Sequence, residues 1–145
     1  MKLLLIFVII LFLIAISLLH FYWVAGGEWG IEGAMPAKFR NDYFNPANRL
    51  SMTLATLVVA IGLLLFAATI ASNYFDWSLL IPKKYTLIGT RIIGAIFLVR
   101  AIGDFNRLGL FKKTSNDIFA KKDSKIYVPL CLFLGIGSLV VSFLG

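Results

Sequence analysis

Four apolar blocks, Leu3–Val24, Leu50–Ala71, Thr86–Phe105 and Tyr127–Leu144, take up most of this 145-residue chain. Each approaches the roughly 20 residues a helix needs to cross the hydrocarbon of a bilayer. Inside that hydrocarbon no water reaches the backbone. A helix satisfies its own N–H and C=O groups there, whereas a lone strand leaves its edges unpaired. The pattern therefore predicts an all-α protein: a four-transmembrane-helix bundle with short connecting loops. Residues 1–145 read as a single polytopic membrane domain with helices at about 3–24, 50–71, 86–105 and 127–144.

Composition agrees with that reading. Apolar residues make up 60% of the chain and charged residues 14%, against roughly 25% charged in an ordinary soluble domain. Met1-Lys2 followed by Leu3–Ile16 has the outline of a secretory signal. The apolar run continues through Leu19, however, and His20-Phe21-Tyr22-Trp23 follows without a convincing cleavage motif, so the block is expected to be retained as a helix. Pro82 and Pro129 sit at the onsets of the third and fourth blocks, where a missing N–H costs least.

The net charge of +7 invites a nucleic-acid reading, but its location argues otherwise. Arg107, Lys112, Lys113, Lys121, Lys122 and Lys125 fall in one loop beside a membrane helix. Charge placed there controls topology and attracts anionic lipid headgroups, here near Lys112, Lys113, Lys121 and Lys122. No nucleic-acid partner is expected. With four crossings, Lys38, Arg40 and Arg49 share a side with that loop, while Lys2, Lys83 and Lys84 lie opposite. The positive-inside rule places both termini outside and the two longer loops in the cytoplasm.

Cys131 is the sole cysteine and His20 the sole histidine, so neither an internal disulfide nor a conventional zinc site is expected. Gly26-Gly27 and Gly30 lack the surroundings of a phosphate loop and read as turn residues. No cofactor is expected. Tyr22, Trp23, Tyr74, Trp77 and Tyr85 fall near block ends, as interfacial aromatic anchors do. Thr86, Thr90 and Gly94 recur at four-residue spacing and form a small face for close helix approach. That face suits a contact within one chain or with a second copy.

Arg91 and Arg100 interrupt the third block nine residues apart, which places them on nearly opposite faces at roughly 100° per residue. Arg100 and Asp104 are four apart and share a face, so a pairing between them is expected. The first and third helices run in the same direction, which brings His20 to the depth of Arg100 and Asp104. Glu28, Trp29 and Glu32 follow the first helix, and Asp117 and Asp123 follow the third. His20, Trp23, Glu28, Arg100 and Asp104 are thus the ligand-binding candidates. A structural ion pair, a helix-bridging histidine and solvated loop carboxylates account for the same residues.

The segments His20-Phe21-Tyr22-Trp23-Val24-Ala25-Gly26-Gly27, Val99-Arg100-Ala101-Ile102-Gly103-Asp104-Phe105 and Tyr127-Val128-Pro129-Leu130-Cys131-Leu132 together resemble a family of small bacterial membrane proteins, domain of unknown function 3995. The resemblance covers nearly the whole chain. It implies a four-helix protein of the bacterial plasma membrane and carries no catalytic role to His20, Arg100 or Asp104. The leading expectation is a membrane-embedded binding or accessory protein. Its polar cytoplasmic end would recognise an amphiphile, a membrane protein partner or a second copy. One alternative is a small intramembrane enzyme using His20 or Glu28 for proton transfer, with Arg100 stabilising negative charge. Another is a small transporter, which needs a polar route through the middle of the bundle.

Overall fold

The computed structural model describes residues 2–35, 37–73, 81–103 and 121–144. Its helices are α1 (Lys2–Val24), α2 (Ile31–Ala34), α3 (Ala37–Phe44), α4 (Arg49–Ala71), α5 (Lys83–Ile102) and α6 (Val128–Phe143). A π-helical turn, Asp123–Tyr127, leads directly into α6. No strand occurs among the described residues. Four segments, Lys2–Val24, Arg49–Ala71, Lys83–Ile102 and Asp123–Phe143, are long and apolar enough to cross a membrane. At 20 to 23 residues each, they reach roughly 30–35 Å.

These four segments pack as two pairs. The α1 helix lies along α4, and α5 lies along α6; contacts of α1 with α6 and of α4 with α5 join the pairs. Buried positions follow a three- and four-residue rhythm: Ile6, Ile9, Leu13 and Ser17 on α1, and Thr56, Ala60, Leu63, Ala67 and Ile70 on α4. This spacing keeps one stripe of each helix facing its neighbour. The opposite stripes carry Leu4, Leu11, Leu18, Val58, Leu65 and Val99, all exposed. Only 22% of the most apolar stretch of α1 is buried inside the protein. Its remaining apolar surface is covered once hydrocarbon replaces water as the solvent.

Hydroxyl groups on the spans mostly satisfy themselves. Thr56 donates to the Met52 carbonyl, Thr69 to Leu65, Thr90 to Thr86 and Ser138 to Leu134, each four residues back. Other side chains reach across helices instead, Ser17 and Asn73 among them. Ser17, fully buried, donates to the Ala60 carbonyl of α4 at 2.7 Å. Asn73 Nδ2 donates to Thr90 Oγ1 of α5 at 2.9 Å. Such bonds hold helix pairs in register where apolar contact alone is indifferent to sliding.

Glycine allows the closest approach between α5 and α6. A Cβ at Gly94 would lie 3.0 Å from the Gly135 carbonyl oxygen, and one at Gly135 would lie 3.1 Å from that of Gly94. The expected small face of Thr86, Thr90 and Gly94 is indeed buried, with Gly94 opposite a backbone. At one end of the bundle, Lys2 Nζ donates to the Leu144 carbonyl at 2.8 Å, so both termini share that end. There the Arg91 guanidinium sits 4.8 Å from the centroid of the Phe143 ring, a cation–π contact that shelters its charge.

Pro129 is the second residue of α6, but the chain is already helical before it. A proline ring clashes with the carbonyl four residues back and cannot donate to it. The turn ahead widens in response, with Val128 N–H bonding five residues back to Asp123. The chain continues through the obstacle as a helix.

Substituting Gly94 by Val should destabilise the bundle by about 1–3 kcal/mol, the usual cost of overpacking. Gly62→Ala, where nothing lies within 4 Å of the added carbon, should be neutral or mildly stabilising. Thermal unfolding of both variants in the same detergent checks the pair. Equal melting temperatures would show that α5 and α6 do not meet at Gly94.

Candidate functional site

The end of the bundle opposite the termini is organised around Trp23. The α1 helix stops because Gly26 adopts φ 94°, a left-handed conformation that costs glycine little. Gly27 N–H then bonds to the Tyr22 carbonyl at 2.9 Å and Gly26 N–H to that of Trp23 at 3.0 Å. This pairing of bonds is the Schellman closure of a helix end. Having no side chain, Gly27 accepts the Tyr22 ring directly against it. Gly30, at φ 81°, turns the chain again into α2.

Trp23 is 6% exposed. Its indole Nε1 donates to the Trp29 carbonyl at 2.9 Å, and its own carbonyl accepts the Tyr43 hydroxyl at 2.8 Å. His20 meets it edge to face, ring centroids 4.9 Å apart. One residue of α1 thereby ties down both the turn after α1 and the α3 helix. Burial pushes the Tyr43 phenol above its ordinary value; the positive charge of Arg49 opposes the shift and Glu28 adds to it.

Three cavities share Trp23 as a wall. The largest, about 630 Å³, lies under the α2–α3 segment, and its lining includes Glu28, Trp29, Glu32, Arg40, Lys122 and Tyr127. A second, about 310 Å³, is lined by Glu28, Tyr43, Arg49 and Thr53 among others. The third, about 250 Å³, is mainly apolar and is flanked by His20, Met35, Phe39, Met52 and Val59. The Lys122 side chain reaches the largest cavity by crossing Gly33, where any Cβ would collide with it. Two carboxylates, two cations and two indoles thus border one space. It can hold a ligand with a charged head and an apolar body.

Arg100 lies near this end but borders none of these three cavities. Its NH2 group bonds to Asp123 Oδ1 at 2.9 Å; Asp123 is fully buried and Arg100 is 33% exposed. The other guanidinium nitrogen, NH1, is buried without a hydrogen-bond partner among the described residues. Asp104, expected to pair with Arg100, lies outside the described residues. The partner that the structure describes comes from the π-helical turn before α6.

The sequence candidates consequently divide. Trp23 and Glu28 border a common cavity, and His20 shares a different, more apolar one with Trp23. His20 Nδ1 donates to the Ile16 carbonyl at 2.8 Å, within its own helix. His20 and Arg100 do not meet in any of these cavities. Arg40 and Tyr43 are not sequence candidates, Lys122 is one only as a basic residue near anionic headgroups, and Trp29, Glu32 and Asp123 are polar-end residues of the sequence. Tyr74, Trp77, Arg107, Lys112, Lys113 and Asp117 lie outside the described residues. Among the described residues, no cluster of three His, Cys, Asp or Glu side chains suits a metal ion.

A family model described as "Protein of unknown function (DUF3995)" matches residues 13–138. The chain belongs to the DUF3995 family. The match takes in Trp23, the cavity-lining segment and the Arg100–Asp123 pair of this DUF3995 protein. No curated protein and no solved structure matches it.

Two consequences of this geometry are measurable. Replacing Asp123 by Asn should cost about 1.5–3 kcal/mol, the range for a hydrogen bond to a charged group. Replacing the pair together, Arg100→Met with Asp123→Leu, should recover much of the loss, because no charge is then stranded. Denaturant titrations of the two variants beside the parent decide this, and equal losses for the single and the double replacement would refute it. Tyr43 gives a pH test. Its folded-state pKa is raised above about 10, so its bond to Trp23 contributes fully below that pH and is lost as pH rises through the folded value. Trp fluorescence in Tyr43→Phe should lack the alkaline transition of the parent protein.

Proposed function

We propose that this DUF3995 protein binds an amphiphile at the loop-covered end of its helix bundle. The single observation behind this reading is the cavity of about 630 Å³ bordered by Trp23, Trp29, Glu28, Glu32, Arg40 and Lys122. Its size falls in the usual range for small-ligand sites, roughly 300–1,000 Å³. It opens at the end of a membrane-spanning helix, the depth at which lipid headgroups meet tryptophan. Arg40 and Lys122 suit a phosphate, the indoles suit the glycerol and upper chain, and the neighbouring basic residues raise the local concentration of anionic lipid.

Orientation belongs to the same proposal. The end carrying Arg40, Arg49, Lys121, Lys122 and Lys125 faces the cytoplasm of a bacterium, and both termini lie outside the plasma membrane. The enzyme reading has less support. His20 bonds within its own helix, and among the described residues its cavity brings it Met35, Phe39, Met52 and the hydroxyls of Tyr43 and Thr56 but no carboxylate. Transport has less still, since Ile9, Leu13, Leu63, Ile70, Ile93, Phe97 and Leu134 fill the middle of the bundle.

Protein purified in mild detergent should carry phospholipid through repeated delipidation, as read by native mass spectrometry. Arg40→Gln with Lys122→Gln should reduce retention about ten-fold, equivalent to about 1.4 kcal/mol. Absence of retained lipid, or equal retention by the double variant, would overturn the proposal. For orientation, Cys131→Ala supplies a thiol-free background. A cysteine replacing Lys84 should react with an impermeant maleimide on intact cells, and one replacing Asn45 should not. The reverse labelling pattern would invert the topology without touching the cavity.

A further inference from the structure

We infer that the large cavity selects a head carrying both a phosphate and a protonated amine, a zwitterion rather than a plain anion. The inference rests on the reading that this cavity binds an amphiphile, and it names the class of head. Its lining holds two acids, Glu28 and Glu32, and two bases, Arg40 and Lys122. Among the described residues the ion pair is Arg100–Asp123. None of these four lining charges has an ion-pair partner among the described residues.

A purely anionic head would satisfy Arg40 and Lys122 but would face Glu28 and Glu32 with like charge. A purely cationic head would leave the opposite conflict. A head with charges of both signs can meet acids and bases in the same space without leaving either unpaired. Trp29 supports the amine side. It is 76% exposed and borders the cavity with Trp23, so indole faces accompany the carboxylates, and tryptophan is the best aromatic partner for a cation.

Lys122 supports the phosphate side. Its side chain crosses Gly33 so closely that an added Cβ would meet its Cδ, Cε and Nζ. That residue is the far end of a flexible chain, so Gly33→Ala displaces the ammonium while leaving every charge in the protein unchanged. The phosphate and amine ends can therefore be disturbed separately, by Gly33→Ala and by Glu28→Gln with Glu32→Gln. All three positions lie outside the membrane-spanning helices, and both glutamates are exposed.

The test is competitive binding to the delipidated protein in detergent, with phosphatidylethanolamine, phosphatidylglycerol and soluble glycerophosphoethanolamine as probes. The parent protein should prefer phosphatidylethanolamine over phosphatidylglycerol by about ten-fold. Glu28→Gln with Glu32→Gln should bring the ratio near one, and Gly33→Ala should weaken both lipids while keeping the preference. Displacement of the lipid by glycerophosphoethanolamine at equal concentration would support the zwitterion and assign it to a free head. Failure to displace it would support the zwitterion as a lipid. Equal or stronger binding of phosphatidylglycerol by the parent overturns the choice of head while amphiphile binding stands. Binding of neither lipid overturns amphiphile binding itself.

Discussion

Hydrocarbon gives a polar atom nothing to bond to, and the arrangement of this chain follows from that constraint. Its backbone resolves the constraint by becoming helical over each long apolar run. Its hydroxyls resolve it by bonding back along the helix that carries them, as Thr56, Thr69, Thr90 and Ser138 do. Polar atoms that cannot be satisfied locally become the attachments between helices. Ser17 reaches Ala60, Asn73 reaches Thr90 and Arg100 reaches Asp123. The last of these sits where the apolar span gives way to charged sequence, and a partly exposed guanidinium is cheapest there.

Trp23 performs the corresponding task at the water boundary. It is large enough to close the end of the α1–α4 pair, yet its Nε1 and its carbonyl both face the overlying segment. Bonds to Trp29 and Tyr43 give the α2–α3 segment fixed points, and the space left beneath it becomes the cavity. The glycines at 26, 27 and 30 make this possible by reversing the chain within a few residues. Shape at this end therefore derives from one anchored aromatic and a tight turn.

Hydropathy made the four spans legible, because a run of apolar residues at membrane length has few other solutions. The small face on α5 was legible for a similar reason: four-residue spacing puts Thr86, Thr90 and Gly94 in line. Short elements were not. The α2 and α3 helices have four and eight residues, too few for periodicity to separate them from loop. Of the site, Trp23 and Glu28 could be read from their place at the end of the first span and just beyond it. Lys122 could be read as one of several basic residues near lipid headgroups, but its place beside Arg40 could not, since only the tertiary fold brings α3 and the start of the last span to one cavity. Local spacing favoured Asp104 for Arg100. Asp123 was hidden among lysines, ahead of the apolar run that marks the last helix.

The widened turn at Asp123–Tyr127 makes chain length, as well as composition, a determinant of this end of the molecule. A π turn holds one residue more than the α turn it replaces. Everything upstream of Pro129 is therefore rotated by roughly 100° from where an uninterrupted α-helix would carry it. That rotation belongs to the geometry that puts the Asp123 carboxylate against Arg100 and the Lys122 side chain across Gly33. Side-chain swaps along this turn leave the angular phase intact, whereas loss of a single residue would turn both groups away together. Conserved spacing between the acid and the proline, rather than identity at the positions between them, is what such a joint demands.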